Sequence, residues 1–210
     1  MIAVSEIFGP TIQREGALIG MPTVFVRTGG CDFRCSWCDT LYAVEPRFKK
    51  DWQSMGAEAI LAEVNRLSGG EPLLITLSGG NPALQPLDEL LQLGHQQGHS
   101  FAMETQGSKA QAWFNRLDHL TLSPKPPSAG MPFRRERFEA CLAAAGADTS
   151  VSLKLVIADE ADYQWAKALA ADYPQLPLYL QPCNPAPATP EQPERETDTQ
   201  ALNAQLRWLV

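Results

Sequence analysis

The chain has 210 residues, 44% of them hydrophobic and 20% charged, enough for one compact domain with a substantial core. A formal net charge of −7, with no Lys/Arg run longer than two, argues against a non-specific nucleic-acid binder. No stretch approaches the roughly 18–20 apolar residues of a membrane span, and the first residues lack the basic and apolar regions of a secretory signal.

Residues 1–22 read as a short apolar stretch followed by a polar loop, Gly9 to Gly16, rich in recognition-type side chains. Thr23 to Thr28 is β-branched and aromatic, so it reads as a strand that runs into Gly29-Gly30 and a cysteine loop. Residues 41–55 carry no clear period. Ile60, Leu61, Val64 and Leu67 form the stripe of an amphipathic helix that stops at Gly69-Gly70. Leu73 to Ser78 reads as a strand buried on both faces, ending in Gly79-Gly80-Asn81-Pro82. Pro86, Leu87, Leu90, Leu91 and a closing Gly98 bound the next helix.

The strand–helix unit then repeats. Phe101–Met103 leads to Glu104-Thr105-Gln106-Gly107 and a short helix around Trp113. Leu120–Leu122 leads to Ser123-Pro124-Lys125 and a helix through Phe138, Cys141, Leu142 and Ala145. Val151–Ile157 is the clearest strand; Asp159 caps the helix after it, which carries Trp165 and Leu169. Leu178–Leu180 leads to Gln181-Pro182-Cys183-Asn184. Residues 182–197 hold five prolines and read as an extended connector, before a helix over 198–210 with Leu202, Leu206 and Leu209 on one face. Six strands, most of them followed by a helix, predict a single α/β domain over residues 1–210 with a mostly parallel sheet. Six units are too few for an eight-stranded barrel. The expected fold is therefore an open, partial six-stranded β/α barrel with a reduced helix complement, its site at the carboxyl ends of the strands.

Three of the five cysteines, Cys31, Cys35 and Cys38, fall within eight positions at spacing Cys-x3-Cys-x2-Cys. An odd cysteine count with such a cluster suits a reducing cytoplasm and metal or redox chemistry better than disulfides. A zinc site wants a fourth N or S ligand, and neither a second Cys-x2-Cys nor a His-x3-His follows; His95 and His99 are separated by the stop at Gly98. Reduced cysteines without a ligand are a poor explanation of three on one Gly-rich loop. Thiolates select iron–sulfur clusters, so a cluster with one non-cysteine position fits best. Cys141 lies on an apolar helical stripe and reads as core; Cys183 follows a strand end and reads as a buried thiol near the site.

The cysteine loop after the first strand resembles that of the radical S-adenosylmethionine enzymes. Gly79-Gly80-Asn81-Pro82 is similar to that superfamily's Gly-Gly-Glu-Pro motif, with Asn81 in place of Glu. Gln13-Arg14-Glu15-Gly16, Phe25-Val26-Arg27, Cys35-Ser36-Trp37-Cys38-Asp39-Thr40, Glu104-Thr105-Gln106-Gly107, Ser123-Pro124-Lys125 and Gln181-Pro182 together resemble the 7-carboxy-7-deazaguanine synthase family, which usually has Gly where this chain has Arg14. The resemblance implies a 4Fe–4S cluster on Cys31, Cys35 and Cys38, whose fourth iron is chelated by S-adenosylmethionine, and Mg²⁺ on Thr40. It implies substrate contacts from Gln13, Arg14, Glu15, Arg27, Ser78 and the carboxylate of Val210. It places the cofactor against Trp37, Gly79, Gly80, Glu104, Thr105, Ser123, Lys125 and Gln181.

Arg27 has an independent physical rationale, since its planar fork suits a carboxylate. Lys154 alternates with Ser152 and turns either into the barrel or into a structural pairing. The implied activity is a lyase reaction of the queuosine and 7-deazapurine pathway that feeds tRNA modification. In it 6-carboxy-5,6,7,8-tetrahydropterin is contracted to 7-carboxy-7-deazaguanine, with loss of ammonia and regeneration of the cofactor. A cytoplasmic homodimer reduced by a flavodoxin or ferredoxin, with no nucleic-acid or membrane partner, goes with it. The rival readings are an activating enzyme that generates a glycyl radical on a partner protein and a zinc-stabilised binding module.

Overall fold

The computed structural model describes residues 1–184 and 198–210. The sequence-predicted connector over 182–197 lies outside the described residues except for its first three positions.

In chain order the elements are β1 (Ile2–Ile12), β2 (Pro22–Thr28), α1 (Leu41–Val44), β3 (Gln53–Met55), α2 (Ala57–Ser68), β4 (Leu74–Gly79), α3 (Asp88–Gln96) and β5 (Ser100–Thr105). They are followed by β6 (His119–Leu122), α4 (Arg135–Ala144), β7 (Ser150–Ile157), α5 (Glu160–Asp172), β8 (Leu178–Pro182) and α6 (Thr199–Leu209). One sheet holds all eight strands in the order β3-β1-β2-β4-β5-β6-β7-β8, and its two edges do not meet. The six strands expected from the sequence are the parallel run from β2 to β8. This is the open partial barrel.

Two strands were not legible. β1 pairs antiparallel with β2, and β3 with β1. Ile2 and Val4 begin an alternating pattern in β1, but the register slips between Val4 and Glu6 and again between Phe8 and Thr11. Such bulges destroy the period-2 signal by which a strand is read. β3 is too short for any period, and the rest of residues 41–55 forms α1 and a 3-10 turn over Pro46–Asp51. The helix expected around Trp113 is only a 3-10 turn, Ala112–Arg116, so the β5–β6 crossover is where the helix complement is reduced.

The helical crossovers pack on one face of the sheet. α2 contributes Ile60, Leu61 and Val64, and α3 contributes Leu90 and Leu91. α4 adds Phe138 and Cys141, confirming Cys141 as a core thiol, and α5 adds Ala166 and Leu169. Gly94 of α3 is needed for close approach, because a Cβ there would lie 2.3 Å from Phe101 Cζ. Helix stops follow expectation: Gly69 closes α2 in the left-handed conformation, and Asp159 caps α5 by accepting from the Asp162 N–H. In α6, Leu202 and Leu209 are half-buried but Leu206 is exposed, so the expected apolar face is incomplete.

Strand alternation assigns the other face of the sheet. Val24, Val26, Ile75, Leu77, Leu153 and Leu155 point to the helices. The residues between them, including Arg27, Ser78 and Lys154, line the concave side. That side carries the site.

Candidate active site

A cavity of about 660 Å³ opens on the concave face at the carboxyl ends of the parallel strands, a size usual for small-molecule sites. Its lining includes Gln13, Arg14, Glu15, Arg27, Cys31, Cys35, Trp37, Cys38, Thr40, Ser78, Gly79 and Gly80, and further round Glu104, Thr105, Lys125, Lys154 and Gln181. Residues far apart in the chain thus meet because each ends or follows a neighbouring strand.

Two sequence-expected residues lie elsewhere. Ser123 is buried behind the wall, where its hydroxyl accepts from Lys125 Nζ at 3.0 Å. Val210 is fully exposed and outside the cavity. The reason lies in the pose of α6. Gln205 Nε2 donates to the Ile157 and Ala158 carbonyls at 2.8 and 3.1 Å, so the first turns of the helix meet the sheet and Leu202 supplies the lining. A helix advances about 1.5 Å per residue, which carries residue 210 roughly 12 Å beyond Leu202.

The cysteine loop is held from below. Trp37 Nε1 donates to Ser128 Oγ at 2.9 Å, and Ser36 Oγ donates to the Ser128 carbonyl at 2.7 Å. Ser128 in turn donates to the buried Asp162 carboxylate. Burial pushes the Cys31 thiol up despite the Phe33 N–H, and pushes Cys35 up to about 11 against the opposing Lys125 charge. A cation bound by the sulfurs would reverse that preference. Among the described residues no three His, Cys, Asp or Glu side chains are gathered to hold a single metal ion. Three thiols facing one cavity of this size suit a larger inorganic centre.

Gly79 and Gly80 answer to close backbone approach. A Cβ on Gly79 would lie 2.3 Å from the Thr28 carbonyl oxygen, and one on Gly80 would lie 2.1 Å from that of Gly30. The β4 end and the cysteine loop can therefore touch only through glycine. Asn81 then locks them. Its amide donates to Asp32 Oδ1 at 2.9 Å and Ser108 Oγ at 3.0 Å, and its carbonyl accepts from Thr105 Oγ1 at 2.8 Å and the Ala83 N–H at 3.2 Å. The side chain is fully buried, so Asn81→Leu strands several polar groups at about 1–3 kcal/mol each. We expect a fall in Tm of roughly 6–12 °C by calorimetry. Asn81→Asp keeps the acceptor but sets a carboxylate against Asp32, so it is expected to destabilise as well. An unchanged Tm in both variants would remove Asn81 from the lock.

Several contributors were missed in the sequence. Gln106 Nε2 donates to Asp32 Oδ1 at 2.7 Å and lies 3.6 Å from Cys31 Sγ, so it and Asp32 brace the loop. Glu6 accepts from Arg27 Nε at 2.5 Å and from Tyr42 OH at 2.8 Å. Burial pushes the Tyr42 phenol up to about 12, with Arg27 opposing and Glu6 adding, so it remains a neutral donor. The signal for Glu6 is its place opposite Arg27 in the β1–β2 register, which becomes readable only once β1 is known to be a strand. Glu6 takes Nε and leaves the two terminal amines of Arg27 with no hydrogen-bond partner among the described residues. The guanidinium lies 5.8 Å from the Phe8 ring centroid and 5.9 Å from that of Tyr42. Phe8 stacks on Phe25 at 5.0 Å, and both rings line the cavity.

The opposite wall is ionic. Lys154 is buried and reaches Glu15 Oε2 at 2.5 Å and Glu104 Oε2 at 2.7 Å, so it does turn into the barrel. Burial alone would depress the ammonium and raise the Glu104 carboxyl. Their mutual attraction outweighs it, holding Lys154 above and Glu104 below their ordinary values. Gln181 Nε2 donates to Glu15 Oε1 at 2.8 Å. Gln13 Oε1 accepts from the N–H groups of Arg14 and Glu15, folding that loop onto itself. Thr40 Oγ1 lies 3.7 Å from Cys38 Sγ. Cys183 is buried at the rim, where burial pushes it up to about 11.

Among the described residues two buried polar side-chain atoms have no partner, Ser78 Oγ and Gln181 Oε1, and both residues line this cavity. Buried polar groups are nearly always paired, so these two mark where ligand atoms belong.

Residues 25–153 match the radical SAM superfamily model. The chain is 43% identical over 209 residues to the 7-carboxy-7-deazaguanine synthase of Bacillus subtilis (strain 168), covering 98% of this chain and 83% of that protein. It is 42% identical over 182 residues to that of Bacillus cereus, covering 86% and 76% respectively. In fold it is similar to the crystal structure of QueE from Escherichia coli, with a TM-score of 0.53 at 20% identity over 86% of this chain and 93% of that one. It is similar also to the structure of TYW1 with a lysine-pyruvate adduct bound, with a TM-score of 0.54 at 13% identity over 90% and 74%.

Proposed function

The chain belongs to the radical SAM superfamily and, within it, to the 7-carboxy-7-deazaguanine synthases, and from that premise we propose that it contracts 6-carboxy-5,6,7,8-tetrahydropterin to 7-carboxy-7-deazaguanine with release of ammonia. The observation that carries this reading is one cavity lined by three thiols, the Arg27 guanidinium fork and three carboxylates, with two orphaned polar atoms in its wall. When bound, the cluster and S-adenosylmethionine supply the carbon radical that initiates the rearrangement, and Mg²⁺ supplies a hard positive charge for the substrate carboxylate.

The chain's own residues bind, orient and exclude water. Cys31, Cys35 and Cys38 hold the cluster. Thr40, beside Asp39 at the same wall, offers the single oxygen ligand that suits a cation retaining most of its waters. Arg27, braced by Glu6, presents its free amines to the carboxylate. Glu15 and Gln13 take the pterin edge, with Phe8 and Phe25 as an apolar floor and Ser78 Oγ as a donor in search of an acceptor. Glu104 accepts from ribose hydroxyls, Lys125 faces the carboxylate of the cofactor, and Trp37 lies against Lys125 at 5.8 Å. Arg14 adds positive charge at the rim. A concave pocket of this volume, lined by recognition-type side chains, supports a small-molecule substrate over a glycyl-radical partner protein.

Five free cysteines and no disulfide among the described residues support work in the cytoplasm. No helix among them is long and apolar enough to cross a membrane. A flavodoxin or ferredoxin as reductant, and a homodimer, complete the proposal.

The test is anaerobic reconstitution with iron and sulfide, then dithionite, S-adenosylmethionine, Mg²⁺ and the carboxytetrahydropterin. We expect a brown protein and the ring-contracted product by mass spectrometry. A brown protein with no product would overturn the substrate assignment. Thr40→Ala is expected to keep the chromophore while raising the Mg²⁺ needed for half-maximal rate by about tenfold or more. An unchanged Mg²⁺ response would remove Thr40 from the metal site.

A further inference from the structure

We propose that Lys154 is a positioning residue that couples the two halves of the cavity, so that filling either the substrate side or the cofactor side orders the other. It rests on the functional reading above and goes beyond it by assigning a thermodynamic link between the two ligands.

The argument begins with where the three charged groups come from. Lys154 sits in the middle of β7, Glu104 near the end of β5, and Glu15 in the loop after β1. The ammonium contacts both carboxylates, at 2.5 Å to Glu15 Oε2 and 2.7 Å to Glu104 Oε2. The Lys154 side chain is 6% exposed, whereas those of Glu15 and Glu104 are 43% and 34% exposed. The cation is therefore internal, and each anion keeps an open edge toward the cavity.

A buried cation is stable only while paired, so Lys154 cannot give up both partners at once. Its charge keeps Glu104 ionised, and it fixes the orientation of both carboxylates. Among the described residues no other charged side chain is paired with both. Lys125 acts on Glu104 from the β6 side, and Gln181 adds only a neutral hydrogen bond to Glu15. Glu15 lies beside Gln13, on the side read above as the substrate's, and Glu104 lines the side read as the cofactor's. A ligand that donates hydrogen bonds to one carboxylate also displaces water from the open edges of the triad. That strengthens the remaining ion pair and fixes the second carboxylate before its own ligand arrives. The expected sign is positive: each ligand tightens the other by the same factor.

The measurement is equilibrium binding by calorimetry on the reconstituted holoenzyme with its cluster oxidised, so that no turnover occurs. The affinity for S-adenosylmethionine is measured with and without saturating carboxytetrahydropterin, and then the reverse. Wild type is expected to show about a fivefold or larger mutual enhancement, within the usual range of coupling between sites. Lys154→Met is expected to bring the factor to within about twofold of unity, and Lys154→Arg to retain most of it. Lys154→Met leaves Glu104 near Lys125 and open to cavity water, so the fold is expected to survive; circular dichroism and iron content check this. Glu15→Gln, on an exposed loop, removes one arm of the link without touching the core. It is expected to lose the enhancement even if Lys154→Met fails to fold.

Undiminished enhancement in Lys154→Met or Glu15→Gln, or none in wild type, overturns the coupling while leaving the functional reading intact. Failure of wild type to bind the pterin at all overturns the functional reading instead. A merely structural Lys154 would lower Tm and leave the coupling factor unchanged.

Discussion

Replacing Cys31, Cys35 or Cys38 with alanine is expected to remove the brown chromophore, bound iron and all turnover together. Each thiol faces the same cavity, and among the described residues no other group of three His, Cys, Asp or Glu side chains is gathered there to take the place of a lost one. A cluster held by two cysteines has lost a third of its protein ligands, so binding collapses rather than weakening in proportion. The fold should persist. The loop is anchored independently through the Trp37–Ser128–Asp162 chain and the Asn81–Asp32 lock. The matching control is Cys141→Ala, which trims a buried core thiol on the inner face of α4 and should keep iron and activity at a modest cost in stability. Iron analysis, visible absorption and product formation on the reconstituted proteins are the readouts. Retained chromophore in Cys35→Ala would refute the ligand assignment.

Arg27→Ala is expected to lower kcat/KM for the pterin by about two to three orders of magnitude. Charge-assisted hydrogen bonds are worth roughly 1.5–3 kcal/mol each, and a bidentate carboxylate contact has two of them. The side chain is already oriented before substrate arrives. Glu6 holds Nε, the Phe8 and Tyr42 rings flank the guanidinium, and the terminal amines are left free. Little ordering cost remains to offset the contact. Arg27→Lys keeps the charge but not the fork, and the ammonium cannot satisfy both Glu6 and a carboxylate in the same geometry, so most of the loss should remain. Binding of S-adenosylmethionine alone should change little in either variant. A loss of less than about tenfold in Arg27→Ala would move the carboxylate elsewhere in the cavity.

Legibility differed among elements for reasons of local pattern. The parallel strands β2, β4, β5, β6, β7 and β8 are bounded by glycine, proline or capping residues and are apolar within, so each carried its own signal. The helix α2 announced its end through Gly69, and α5 its start through Asp159. β1 did not, because two bulges break its alternation. With β1 unread, Glu6 had no partner, and the brace on Arg27 stayed invisible. Val210 was assigned by resemblance alone; the Gln205 contacts that carry it away from the cavity depend on how α6 docks, which no local pattern encodes.

The amino-acid sequence by itself determined the alternating α/β plan, the three-thiol loop after β2 and the glycine-rich end of β4, because spacing and residue chemistry are local properties. Tertiary structure alone decided that Lys154 points into the barrel between Glu15 and Glu104, that Ser123 stands behind the wall, and that Asn81 binds the cysteine loop to β5. These are contacts across the sheet between residues tens of positions apart. Which face a side chain takes, and what meets it there, follows from strand register, and register is set by the packing of the whole barrel.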